Sequence, residues 1–229
     1  MKFLFIHQNM PGQFRHVASA LAANPANKVL FVTNRGDRQL PGVRRLTYGL
    51  PPETGAESHP YLGRIHSAVR YGQAVADVLL ALHAKGFSPD IVVGHPGWGE
   101  SLFVRDIFPR APYLNYCEFY YGPEGRDYGF DPAHRTSQNT RQALRLRATP
   151  LLSALEACDR GLSPTYWQRS THPTAFQSKI DVIHEGVDVD ALRPIADARF
   201  ILDDGRVLTR NDSVVTYVAR NLERTRKSW

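Results

Sequence analysis

The chain has 229 residues, a formal net charge of +6, 42% hydrophobic, 10% aromatic and 22% charged residues. That length holds one large domain, or one domain and part of another at about 100–200 residues each, and the composition excludes a disordered, fibrous or disulfide-rich chain. No apolar run reaches the roughly 18 residues of a membrane span, and Phe3 to Ile6 is too short for a signal-peptide core, so a cytoplasmic protein is expected. The first strand is predicted at Lys2 to Ile6, followed after Pro11-Gly12 by a helix from about Gln13 to Ala23 with Phe14, Val17, Ala18 and Leu21 on one face. Val29 to Val32 reads as a second buried strand, which completes a βαβ unit and implies a parallel sheet covered on both sides. A third strand is expected from Val43 to Tyr48, then a loop from Pro51 to Pro60. A helix from Tyr61 to Ala84 follows, on the spacing of Leu62, Ile65, Val69, Ala76, Leu79, Leu80 and His83.

Asp90 to Gly94 reads as a strand running into His95-Pro96-Gly97-Trp98-Gly99-Glu100, followed by a helix from Ser101 to Phe108 and a strand from Tyr113 to Cys117. Glu118 to Arg135 is a long aromatic loop, and loops of that length in a compact domain are usually functional. One helix is expected from about Thr136 to Ala157, kinked at Pro150. Short strands at Gly161 to Ser163 and Ile180 to His184 flank a helical turn after Pro164. The fold class is α/β, a Rossmann-like doubly wound, mostly parallel sheet of about six strands over residues 1–194. Residues 195–229 change character: a hairpin from Arg199 to Thr209 and a strand from Val214 to Ala219 look like the β-rich start of a second domain that is cut off.

Ligands of open α/β sheets bind beyond the carboxyl ends of the strands, near the switch in strand order. Three loops reach that edge, at His7 to Phe14, His95 to Glu100 and Glu118 to Gly125. Gly12 at a helix start either receives an anion or simply permits a tight turn. The dinucleotide and P-loop glycine patterns are missing, which argues against NAD and against a P-loop NTPase. His95 is either a surface histidine at a strand end or part of a glycine-opened pocket. Glu100 and Glu118 are a candidate carboxylate pair, and Tyr116, Phe119, Tyr120, Tyr121 and Tyr128 are candidate stacking surfaces, with Tyr116 and Phe119 better suited to the core. Metal and serine-nucleophile motifs are missing, so no metal and no cofactor is expected. Cys117 and Cys158 read as buried free thiols. Four arginines, Arg135, Arg141, Arg145 and Arg147, stand between Asp131 and Glu156 without an acid, most simply as a solvated helix face. Basic charge favours anionic partners, but no nucleic-acid-reading motif is present.

Several segments together resemble glycosyltransferase family 4, retaining nucleotide-sugar-dependent enzymes of GT-B fold. FLFIHQNMPGQFRHVASALA is similar to that family's first strand, glycine turn and first helix, and DIVVGHPGWGES to its strand and histidine loop. IDVIHEGVDVDALRP resembles the hinge motif, with Glu185 in place of the usual asparagine, and VVTYVARNLE resembles the first strand of the second domain. The resemblance implies transfer of a sugar from a nucleotide diphosphate sugar to an acceptor, with residues 1–194 as the acceptor-binding half. It places catalytic His95 beside the donor sugar, and Gly12, Gln13, Arg220 and Arg226 at the donor. Trp98, Glu100, Glu118 and Tyr120 are expected at a sugar or lipid-linked acceptor. Should the acceptor be lipid-linked, Arg141, Arg145 and Arg147 would hold the chain on the inner face of an anionic membrane. Because the second domain breaks off, the chain alone is expected to be inactive, and the alternative is a non-catalytic sugar- or nucleotide-binding module.

Overall fold

The computed structural model describes residues 1–50, 59–123, 128–129 and 135–216. The apolar runs that open the chain form strands β1 (Lys2–Ile6) and β2 (Lys28–Thr33). They are buried on both faces, and their period of two divides the side chains between two cores. Leu4, Ile6, Leu30 and Val32 belong to one core, Phe3, Phe5, Val29 and Phe31 to the other. The remaining strands of the sheet are β3 (Val43–Thr47), β4 (Ile91–Gly94), β5 (Tyr113–Tyr116), β6 (Arg160–Ser163) and β7 (Ile180–Val182). All seven run parallel in the order β3-β2-β1-β4-β5-β6-β7. The chain builds outward from β1 in one direction, returns to β4 on the other side of β1, and builds outward again, so the switch in strand order lies between β1 and β4.

Helices cover both faces. Helix α1 (Arg15–Ala22), entered through a 3-10 turn at Gly12–Phe14, buries Phe14 and Ala18 against the phenylalanine-rich core. Val17 is 47% exposed, at the edge of the stripe where it was expected to pack. The other core is closed by α2 (Gly63–Ala84), whose buried residues Ala68, Gly72, Val75, Leu79 and Leu82 recur every three or four positions. Leu80, one residue off that stripe, is exposed. The helix predicted from Ser101 shrinks to α3 (Val104–Ile107). Arg105 of that turn donates to the carbonyls of Pro109, Ala111 and Ala157 and pairs with Asp159 at 2.8 Å.

The predicted single helix through Pro150 is two helices, α4 (Gln138–Arg147) and α5 (Thr149–Ala157). Proline without an N–H suits the first turn of a new helix better than the interior of an old one. Ser137 caps α4 by accepting the Thr140 N–H at 3.1 Å. After β6, the expected helical turn is a pair of short helices, α6 (Tyr166–Thr171) and α7 (Thr174–Gln177). Cys117 and Cys158 are buried free thiols, and burial pushes the Cys117 thiol up to about 12.

The chain divides into two units, Met1–Glu185 and Gly186–Trp229. In the second, β8 (Arg199–Ile201) pairs antiparallel with β9 (Val207–Thr209) across a turn at Gly205, whose φ is +83°. No strand forms over 214–216, and the rest of the expected Val214 to Ala219 strand lies outside the described residues. Phe200 and Ile201 are both about two-thirds exposed, and an isolated three-residue hairpin is marginal in water. Limited proteolysis is expected to cut first within 186–216 and to leave a resistant fragment containing the parallel sheet, readable by mass spectrometry. Early cuts inside α2 or α5 would show instead that the sheet unit is the less stable part.

Candidate functional site

The pairing of β1 with β4 sets Ile6 opposite Gly94. The next residue on each strand is a histidine, so His7 and His95 stand side by side at the switch with ring centroids 4.5 Å apart. Both are buried, and their backbones are held by the sheet, since the N–H of His7 donates to Val32 and that of His95 to Ile6. Each imidazole accepts at Nδ1 from a backbone N–H two residues on, Asn9 at 2.8 Å and Gly97 at 3.1 Å. The proton of each neutral ring is therefore on Nε2.

From there the donors converge on one carboxylate. His95 Nε2 donates to Glu118 Oε2 at 2.8 Å. His7 Nε2 donates to Gln13 Oε1 at 2.8 Å, and Gln13 Nε2 passes the chain on to the same Glu118 oxygen at 3.1 Å. The Glu118 side chain is 44% exposed, so this carboxylate joins two buried histidines to solvent. Trp98 and Tyr116 stack on the His95 ring at 5.1 and 5.7 Å, and the Tyr116 hydroxyl donates to Glu185.

Two glycines make room for the rings. A Cβ at Gly12, where φ is +49°, would lie 2.8 Å from His7 Nε2, and one at Gly97 would lie 2.7 Å from His95 Cε1. Two more dock the loop after β4 on α2. A Cβ at Gly99, with φ +103°, would stand 2.3 Å from the Ala68 carbonyl oxygen, and one at Gly72 would meet Phe103 at 2.9 Å.

Of the residues singled out in the sequence, Gly12, Gln13, His95, Trp98 and Glu118 come together here. Glu100 does not join them. It is 1% exposed and its carboxyl accepts from the Tyr48 hydroxyl at 3.2 Å, so Glu100 and Glu118 have different partners and face different environments. Tyr120 is turned toward the core formed with Cys117, Leu155 and Ile180, and its N–H donates to Thr171 Oγ1. Arg220 and Arg226 lie outside the described residues. Tyr116 packs in the core as expected, and Phe119 lies against Tyr121 and Trp167. Arg147 is not a solvated helix-face residue, because its guanidinium sits 3.9 Å from the centre of the Tyr121 ring. The sequence reading passed over His7. Its signal was positional, since it follows β1 as His95 follows β4, and two strands flanking a switch present their next residues to the same crevice. Among the described residues no helix is long and apolar enough to cross a membrane, and no cluster of three or more His, Cys, Asp or Glu could hold a metal ion.

Residues 25–192 match the model of the glycosyl transferase family 4 group. The chain belongs to that family. No curated protein matches it. Among solved structures, this family 4 chain is similar to the catalytic domain of starch synthase IV from Arabidopsis thaliana, bound to ADP and acarbose. That match has a TM-score of 0.52 and 14% identity over 83% of this chain and 52% of the other. Phytolacca americana UGT2, complexed with UDP-2fluoro-glucose and pterostilbene, matches with a TM-score of 0.48 and 13% identity over 80% of this chain and 54% of that one. The chain spans about half the length of these structures, and at such identities the likeness is one of fold. The sheet of the first unit has the Rossmann-like fold found in one half of the GT-B architecture.

Burial shifts two groups beside the site in opposite senses. It lowers His7 from 6.5 to about 3, with His95 adding to the effect, and it raises Glu100 from 4.5 to about 7. Between pH 3 and 6.5 the unfolded chain carries the extra proton at His7, so stability rises with pH. Between 4.5 and 7 the fold carries the extra proton at Glu100, so stability falls with pH. The two slopes cancel from about 4.5 to 6.5. Urea midpoints across that window should therefore be nearly flat in the parent chain, whereas Glu100→Gln should leave a rise of about 1.4 kcal/mol per pH unit. A flat profile in Glu100→Gln would contradict the assignment of His7, and a rising profile in the parent chain that of Glu100. Gly12→Ala should cost about 1–3 kcal/mol, from the positive φ and the blocked His7 ring together. Thermal unfolding reads this directly, and an unchanged midpoint would mean that the turn can relax.

Proposed function

We propose that this family 4 chain takes part in transfer of a sugar from a nucleotide diphosphate sugar to an acceptor with retention of configuration, its parallel-sheet unit forming the acceptor-binding half. The observation that carries the reading is the half-exposed Glu118 carboxylate, held by His95 and by Gln13 at the strand-order switch, in a chain of this family. Such a carboxylate accepts a sugar hydroxyl with its direction already fixed, and the tautomer that makes His95 a donor holds it there. In this reading His95 lies beside the donor sugar. Gly12 and Gln13 face the diphosphate at the start of α1, whose first turn carries no acid and no side-chain cap, so its N–H groups and dipole favour an anion. Arg220 and Arg226 are assigned to the donor by the family resemblance alone. Trp98 and Glu118 meet the acceptor, and Glu100, turned onto Tyr48, supports the loop from beneath.

Retention requires the acceptor hydroxyl to approach on the face from which the diphosphate departs. The bond from the anomeric carbon to the phosphate oxygen breaks, the bond to the acceptor oxygen forms, and the hydroxyl proton passes to the departing phosphate. Positive charge on the sugar and negative charge on the diphosphate peak together, so fixed dipoles at both ends lower the barrier. The alternative of a non-catalytic sugar- or nucleotide-binding module predicts binding without product.

Incubation of this chain joined to a complete donor-binding half with UDP-glucose or ADP-glucose and a panel of acceptors, with the product's anomeric configuration read by NMR, tests the reading. An α-linked product from these α-linked donors is expected, and a β-linked product would overturn retention. His95→Ala should lower turnover about 10²-fold, the scale of one positioned polar group. Near-normal turnover in that variant would return His95 to a packing role.

A further inference from the structure

A second recess opens beside the Glu118 site, between the first turns of α2, the loop after β4, and the junction of α4 with α5. Its volume is about 70 Å³, and its walls include Arg64, Ser67, Trp98, Tyr121, Arg147 and Leu151. Two features set it apart from an ordinary surface groove. Among the described residues neither Arg64 nor Arg147 forms an ion pair, although both line the same small space. Arg147 is also held in place by the Tyr121 ring at 3.9 Å. A guanidinium held over an aromatic ring spends none of its N–H donors on that contact. Two like charges in one recess repel each other, and an anion between them turns that repulsion into attraction.

We infer that this recess holds the phosphate group of a phosphomonoester acceptor. The inference rests on the transferase reading only for the word acceptor, because the anion site itself needs no donor. A water position takes about 10–15 Å³ of such volume, so the recess of about 70 Å³ has room for a PO₄ group. Two guanidinium forks match a tetrahedral dianion better than a single carboxylate, since each fork engages two oxygens. Trp98 lines the recess and also stacks on His95. A phosphate seated against Arg64 and Arg147 therefore leaves the rest of its molecule beside Trp98, next to His95 and Glu118. The charge selects the acceptor, and the aromatic wall orients it.

Isothermal titration of the full chain at low ionic strength tests this without a donor, using inorganic phosphate, glucose 6-phosphate, glucose and phosphatidylcholine vesicles with or without phosphatidate. Inorganic phosphate and glucose 6-phosphate should bind and glucose should not. Arg64→Gln and Arg147→Gln should each weaken phosphate about tenfold or more, the scale of a charged hydrogen bond. Arg147→Lys should keep part of the affinity, and Arg145→Gln, on α4 but outside the recess, should leave it unchanged. Circular dichroism of each variant separates lost binding from lost folding. Phosphatidate vesicles bound only while Arg64 and Arg147 are present would assign a lipid source, and binding of glucose 6-phosphate alone a soluble one. Absent phosphate binding, or equal binding by the parent and both glutamine variants, overturns the inference even if retaining transfer is observed. Failure of transfer with intact, arginine-dependent phosphate binding would overturn the transferase reading and leave the anion site standing.

Discussion

Everything at the candidate site depends on the register between two neighbouring parallel strands. Because Ile6 lies opposite Gly94, the first residue beyond each strand falls at the same height, and both of those residues are histidines. Parallel pairing leaves no freedom to slide, since a shift of one residue would turn Leu4 and Ile6 out of one core and Phe3 and Phe5 out of the other. The apolar alternation along β1 and β4 thus fixes the two imidazoles to within the tolerance of a packed interior. The polar geometry is inherited from the hydrophobic one.

Two buried histidines alone would be an unstable arrangement if either took a proton. Each instead accepts a backbone N–H at one nitrogen and donates at the other, which satisfies both rings as neutral groups. The single negative charge they address is placed at the rim, on Glu118, where water still reaches it. Desolvation is thereby spent on neutral groups, whereas the charged one keeps its hydration until a ligand displaces it.

Much of this was legible in the sequence. The buried strands, the strand-helix alternation and the helix from residue 61 follow from runs and spacings that local physics dictates. The loops after β1, β4 and β5 are correctly set at one sheet edge, because parallel topology puts every strand's carboxyl end there. What stayed hidden depended on register or on contacts between distant segments. His7 acquires meaning only beside His95. Glu100 looked like a partner for Glu118 by residue type, yet the chain turns it inward onto Tyr48. Arg147 looked like one more charge on a solvated helix until the loop after β5 brought Tyr121 beneath it. The break at Ala148 was written in the sequence, since Pro150 is better placed in a first turn than inside a helix.

Four glycines bear on what could ever be changed here. Gly12 and Gly97 lie against the two imidazoles, and Gly99 and Gly72 let the histidine loop rest directly on α2. At Gly99 the nearest neighbour is the backbone oxygen of Ala68, which cannot swing aside as a side chain would. The loop and the helix therefore behave as one rigid part, and Trp98, shared between the two recesses, is carried on it. Variation in the shape of the opening has to come from the walls that face this part across it, on the segments bearing Tyr121 and Arg147. Those positions can vary without disturbing the seat of His95.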